Sequence, residues 1–211
     1  MTKFNWTKAI NPKGSQQEIV SREIIKSSYV IFFTGGMNVG NYTYEQPIDI
    51  EETPKTSVYN EKGEIVYIFQ RYYSNGLKKR LDKIMDYRYF LWYNVYDTNG
   101  ELKCMCKKVS RKGKVYFEAF DYNEQKKYIV AYDKWKELVP DLLITDGNLQ
   151  IKLDKEIEGW SKFFYNDNEI ARWKASLDKV FKIQLEVNDN TPVNNAAFFI
   201  AISQCALFIG S

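Results

Sequence analysis

Val95-Tyr96-Asp97-Thr98-Asn99-Gly100-Glu101-Leu102-Lys103-Cys104 reads as strand, polar turn and strand, and the fold follows from how often that unit returns. Asn99-Gly100 between alternating apolar residues is a strong hairpin signal, because glycine takes up positive φ without a steric penalty. Val58 to Ile68 repeats the unit around Lys62-Gly63, and Phe164 to Trp173 repeats it with Asn168 in the place of the glycine. A weaker copy runs from Asp121 to Ile129, and Asp146-Gly147 is a further turn ahead of an alternating strand, Leu149 to Leu153. Hairpins at intervals of roughly 25–45 residues predict a β-meander or a closed barrel.

The strands between these turns have one dry and one wet face. Leu102, Cys104 and Cys106 alternate with Lys103, Met105 and Lys107; Phe181, Ile183, Leu185 and Val187 alternate with Lys182, Gln184 and Glu186. That period of two is the pattern of an antiparallel sheet covering a core on one side. Apolar residues make up 45% of the 211 and aromatic residues 16%, a surplus that suits pleated surfaces. Interspersed charges and no compositional break predict one domain over 29–211, opening with a buried strand at Tyr29 to Phe33. A lead-in, 1–28, carries a short helix capped by Ser15 and Glu18 and packs on the barrel. Two helical interruptions are expected: a basic amphipathic one marked by Leu77, Leu81, Ile84 and Met85, and another from Tyr132 to Val139.

After Asp189 the chain has no further charge and becomes densely apolar from Ala196 to Ile209. That stretch is about 14 residues, roughly 21 Å as a helix, where a membrane span needs about 20 residues. It also contains Ser203 and Gln204 and has no distal Lys or Arg. A helix apolar on every side belongs inside protein. The expectation is a central core helix over about 192–209, capped by Asn190 or Thr191 with Pro192 in its first turn.

The chain contains no histidine, which removes Ser-His-Asp and Cys-His nucleophile systems and most zinc sites. Neither GxxxxGK[ST] nor GxGxxG is present. Asp and Glu concentrate in turns, where bonds to backbone N–H groups account for them. No catalytic constellation, metal site or cofactor is expected. Three cysteines, an odd number, fit a reducing compartment, and Met1 to Trp6 lacks the apolar run of a signal peptide, so a cytoplasmic monomer is expected. A net charge of +3 is low for a nucleic-acid module. Basic clusters remain: Lys78, Lys79 and Arg80 on the amphipathic segment; Lys107, Lys108, Arg111, Lys112 and Lys114 flanking a hairpin tip; and Lys126-Lys127. The first two are the candidate site for an anionic ligand, with Tyr72, Tyr73, Tyr87, Tyr89, Trp92 and Tyr93 nearby in sequence. Trp6, Trp135 and Trp160, in irregular stretches, are candidates for closing barrel ends.

Asn166-Asp167-Asn168-Glu169-Ile170-Ala171-Arg172-Trp173-Lys174, then Phe181 to Val187, Pro192 and Phe198-Phe199-Ile200-Ala201-Ile202, resembles the tubby C-terminal-like superfamily. That group includes the LURP-one-related proteins and the phospholipid scramblases. The resemblance covers roughly 55–210 and is one of pattern. It implies an all-β fold with few helices: a closed antiparallel barrel of about twelve strands threaded by its hydrophobic C-terminal helix. It further implies a non-enzymatic binding or adaptor module, as tubby domains hold phosphoinositide head groups with surface Lys and Arg. The expected partners are an anionic membrane surface, at its inner face, or a protein. The alternatives are a carrier of a small apolar ligand and a nucleic-acid-binding module.

Overall fold

A computed structural model of the protein describes residues 39–46, 53–85, 87, 89–111, 114–133, 140–156, 158–177 and 181–207. These residues form twelve antiparallel strands that close into one barrel, each paired with its neighbours in sequence. The strands are β1 (Val39–Gln46), β2 (Thr56–Asn60), β3 (Ile65–Arg71), β4 (Trp92–Asp97), β5 (Leu102–Arg111) and β6 (Lys114–Asp121). They continue as β7 (Lys126–Tyr132), β8 (Leu142–Thr145), β9 (Gln150–Asp154), β10 (Ser161–Tyr165), β11 (Asn168–Leu177) and β12 (Phe181–Asn188). Helix α1 (Gly76–Ile84) connects β3 to β4, and α2 (Ala196–Ala206) follows β12. Closure comes from β1 against β12, in register from Val39↔Asn188 to Gln46↔Phe181. No open edge is left among these strands.

The hairpins sit where the repeats predict them, and two are built alike. The Asn60 side chain accepts from the N–H groups of Lys62 and Glu64, and Asp97 accepts in the same way from Asn99 and Glu101. Gly63 and Gly100 supply the positive φ, 77° and 86°. The last repeat differs from expectation: Asn166 and Asp167 are the left-handed residues, and Asn168 already begins β11. Two successive positive φ values make a tighter two-residue turn. In the weak copy Gln125, not an Asn, Asp or Gly, takes the positive φ. Asp121 organises that turn instead, accepting from Asn123 and Glu124.

Every residue of α2 is buried. Phe198 meets Tyr128 of β7 edge-on at 4.8 Å between ring centres, and Phe199 meets Phe163 of β10 at 5.1 Å. Such edge-to-face pairs add to the area that the rings remove from water. Gln204, polar within this apolar segment, donates to the Tyr44 hydroxyl of β1 at 3.0 Å. The central helix is therefore a core element, as its composition predicts. Its start is not where the sequence reading puts it. Asn195 is the cap, accepting from Ala197 N–H at 3.1 Å, while Asn190, Thr191 and Pro192 lie in the preceding connection. The reason is tertiary: the Asn195 amide donates to Asp121 at 2.8 Å, which fixes its oxygen over the helix end.

Strand β1 has no counterpart in the sequence reading; its alternating Tyr42 and Tyr44 are the signal, diluted by Asn41, Thr43 and Glu45. Tyr132 ends β7 rather than opening a helix, and 134–139 lie outside the described residues. The 1–28 lead-in, the Tyr29–Phe33 strand, Trp6 and Trp135 also lie outside them. Trp160 stacks with Arg172 and Lys174, which face outward on β11, so it lines the barrel wall instead of closing a mouth.

Candidate functional site

The connection between β3 and β4 builds one mouth of the barrel around a single carboxylate. Asn75 caps α1, its side chain accepting from Lys78 N–H at 2.8 Å. Tyr87, at φ 56°, donates its N–H to the Asp82 carbonyl at 2.7 Å and closes the other end. Asp82 is 0% exposed and accepts four hydrogen bonds. Arg71 of β3 donates at 2.7 Å, the Tyr73 hydroxyl at 2.8 Å, and the N–H groups of Tyr89 and Phe90 at 3.0 and 2.9 Å. Arg71, itself buried, also donates to the Tyr87 carbonyl. Further hydrogen bonds of this kind offset the cost of burying an ion pair. Burial, and then the bond to Asp82, push the Tyr73 phenol well above its ordinary value.

Beside this hub is a cleft of about 330 Å³ on the rim. Its lining includes Lys78 of α1 and the adjacent Lys107 and Lys108 of β5, which leave opposite faces of that strand, with Tyr72, Tyr89 and Trp92 among its walls. The Lys78 ammonium lies 5.7 Å from the centre of the Phe90 ring and that of Lys107 lies 5.5 Å from Trp92, distances at which ring quadrupoles attract cations. Trp92 in turn packs edge-on against Tyr72 at 4.7 Å. Lys107 pairs with Glu118 of β6 at 3.2 Å, and Glu118 is shared with Lys127. Desolvation raises that carboxyl, but the two lysines outweigh it and hold it below its ordinary value. Lys108 shares the inward face of Cys104 and Cys106 and is half-buried. Burial lowers its amine, opposed by the nearby Asp82 charge.

The candidate residues thus divide. Lys78 and the adjacent pair Lys107-Lys108, far from it in sequence, line one cleft. Lys79 and Arg80 point to solvent from α1 and are not in its lining. Arg111 and Lys114 are paired in register at the end of the β5–β6 hairpin, and Lys112 lies outside the described residues. Lys126 and Lys127 open β7, where they pair with Glu124 and Glu118. Tyr93 belongs to the core. Sequence reasoning missed the Arg71–Asp82 hub; the available signal was a single acid, Asp82, within the otherwise basic Lys78-Lys79-Arg80-Leu81-Asp82-Lys83.

Among the described residues no group of three or more His, Cys, Asp or Glu is placed to hold a metal ion, and no helix is long and apolar enough to cross a membrane. The thiols of Cys104, Cys106 and Cys205 are free and buried. Burial raises Cys104 and Cys205 well above the ordinary thiol value, which keeps both weak nucleophiles. No curated protein and no solved structure is significantly similar to the chain. The family model for the tubby C-terminal like domain matches residues 42–209, from within β1 to beyond α2, and the chain belongs to that family.

Proposed function

We propose that the protein is a non-enzymatic binding module that holds a phosphate-bearing, anionic lipid head group in the rim cleft, at the cytoplasmic face of a membrane. Family membership points to a binding or adaptor module in general. The observation that carries the finer reading is the convergence of Lys78 from α1 with Lys107 and Lys108 from β5 on one aromatic-walled cleft. The Asp82 carboxylate beside it is consumed by Arg71, Tyr73 and two N–H groups. Three unpaired, buried thiols support a reducing compartment. A carrier of a small apolar ligand is disfavoured because α2 occupies the interior such a ligand would need.

Each lysine close to an anionic surface contributes about 1 kcal/mol, so three give weak, salt-sensitive attachment. Co-sedimentation with phosphatidylcholine vesicles, with and without phosphatidylserine, tests the reading. Binding only to the anionic vesicles is expected, and Lys78→Gln with Lys108→Gln should weaken it about tenfold or more. Equal absence of binding to both kinds of vesicle would refute it. Binding should weaken as pH rises through the lowered Lys108 value, because an anion stabilises the protonated amine. Single-stranded RNA is the competitor that separates lipid from nucleic acid, since exposed Tyr72 and Tyr89 beside lysines also suit stacked bases.

A further inference from the structure

Helix α1 is amphipathic in the reverse sense. At about 100° per residue, Leu77, Leu81, Ile84 and Met85 share one arc, a pattern that ordinarily faces a core. Here Leu77 is 65% exposed, Leu81 42%, Ile84 80% and Met85 46%, while the residue turned inward is Asp82. The hub of Arg71, Tyr73, Tyr89 and Phe90 holds the helix by its one acid, so the fold fixes the apolar arc outward. The other charged residues of the helix are Lys78, Lys79, Arg80 and Lys83, all cationic.

Resting on the head-group reading, we propose that α1 is a membrane-insertion element. Leu77, Leu81 and Ile84 enter the boundary between head groups and acyl chains of an anionic bilayer, and Lys79 and Arg80 stay at the phosphate level. An apolar stripe beside basic side chains is the composition of helices that lie in that boundary. Charge complementarity selects the occupant: the one acid of the helix, Asp82, is buried, and its exposed charged residues, Lys79, Arg80 and Lys83, are all cations, as an anionic surface requires. Exposed Tyr72 and Tyr89 are rings of the kind enriched at such interfaces. With α1 seated, the neighbouring cleft and Lys78 lie close to the same layer of head groups. Apolar insertion adds a salt-resistant component that lysines alone do not supply.

The test uses the full chain with an environment-sensitive fluorophore on Ile84→Cys, the native thiols being buried, and on Asn99→Cys in the β4–β5 turn as a control. On vesicles containing phosphatidylserine, the label at 84 is expected to brighten severalfold and to be quenched by spin labels on the acyl chains, and that at 99 to stay unchanged. Leu77→Ser with Ile84→Ser should lower vesicle partition about tenfold or more and abolish the salt-resistant part. The same variant should keep its binding to dihexanoyl phosphatidylserine dissolved as monomers, since neither residue lines the cleft. A label that remains in water on protein bound to vesicles overturns the insertion and leaves the head-group reading standing. So does binding of the soluble lipid without binding of vesicles. Brightening in the absence of vesicles overturns it in favour of a protein contact, and binding to neither lipid form overturns both readings.

Discussion

At one mouth of the barrel the chain turns back in four residues after β2, β4, β6 and β8, and in two after β10. At the other mouth the β3–β4 connection alone runs from 72 to 91 and contains α1. The first mouth is held by local bonds from Asn60, Asp97, Asp121 and Asp146 to N–H groups two to four residues ahead. The β3–β4 connection is held by Asp82, whose partners arrive from β3 and from both sides of the helix. The turns at the first mouth are thus built from short-range bonds, although Asp121 also holds Asn195 at the cap of α2, whereas the β3–β4 connection is a single network. Independent turns are replaceable one at a time, whereas a buried network fails as a unit.

That contrast predicts a hierarchy of losses. Asp82→Ala strands the buried Arg71 guanidinium and should cost about 3–5 kcal/mol. Denaturant titration would measure the cost, and hydrogen exchange should show lost protection at Tyr89 and Phe90. A loss no larger than that of a single turn variant would break the distinction between the mouths. Asn195→Ala removes the cap of α2 at the turn-built mouth and should cost about 1–2 kcal/mol. Smaller still, Gly100→Ala forces a side chain into φ +86° and should cost about 1 kcal/mol. Gly76→Ala, at the helix-built mouth, meets no heavy atom within 4 Å and has no positive φ. It should stabilise by about 0.4–1 kcal/mol, and thermal melts of the pair would show opposite signs.

A pH dependence is expected after β9. Desolvation lowers the Lys155 amine to about 8 from the ordinary 10.5. Between those values the unfolded chain binds more protons than the folded one, so stability rises with pH across that window. Compared with Lys155→Met, the native chain should be at its greatest disadvantage below pH 8 and should recover by 10.5. Parallel melts of both chains would reveal a constant difference if the amine were unperturbed.

The mouths also differ in how far they were legible. Alternation in β5 and β12 and the Asn-Gly and Asp-Gly turns located most of the hairpins, because strand period and turn chemistry are local properties. The cleft was legible only as scattered lysines. Nothing local says that Lys78 meets Lys107 and Lys108, or that Arg80 does not join them, since their meeting depends on β3–β4–β5 register and on where α1 is pinned. The apolar arc of α1 was visible, but its outward orientation was not.

By itself the amino-acid sequence determined the hairpins, the two-faced strands and the apolar character of the segment that forms α2. Each follows from side-chain spacing and backbone propensity over a few neighbouring residues. Only the tertiary structure decided that α2 begins at Ala196, that α1 is held by an acid with its leucines outward, and that three lysines share one cleft. Those outcomes rest on partners that only the folded chain brings together: Asp121 for Asn195, Arg71 for Asp82, and β5 for α1.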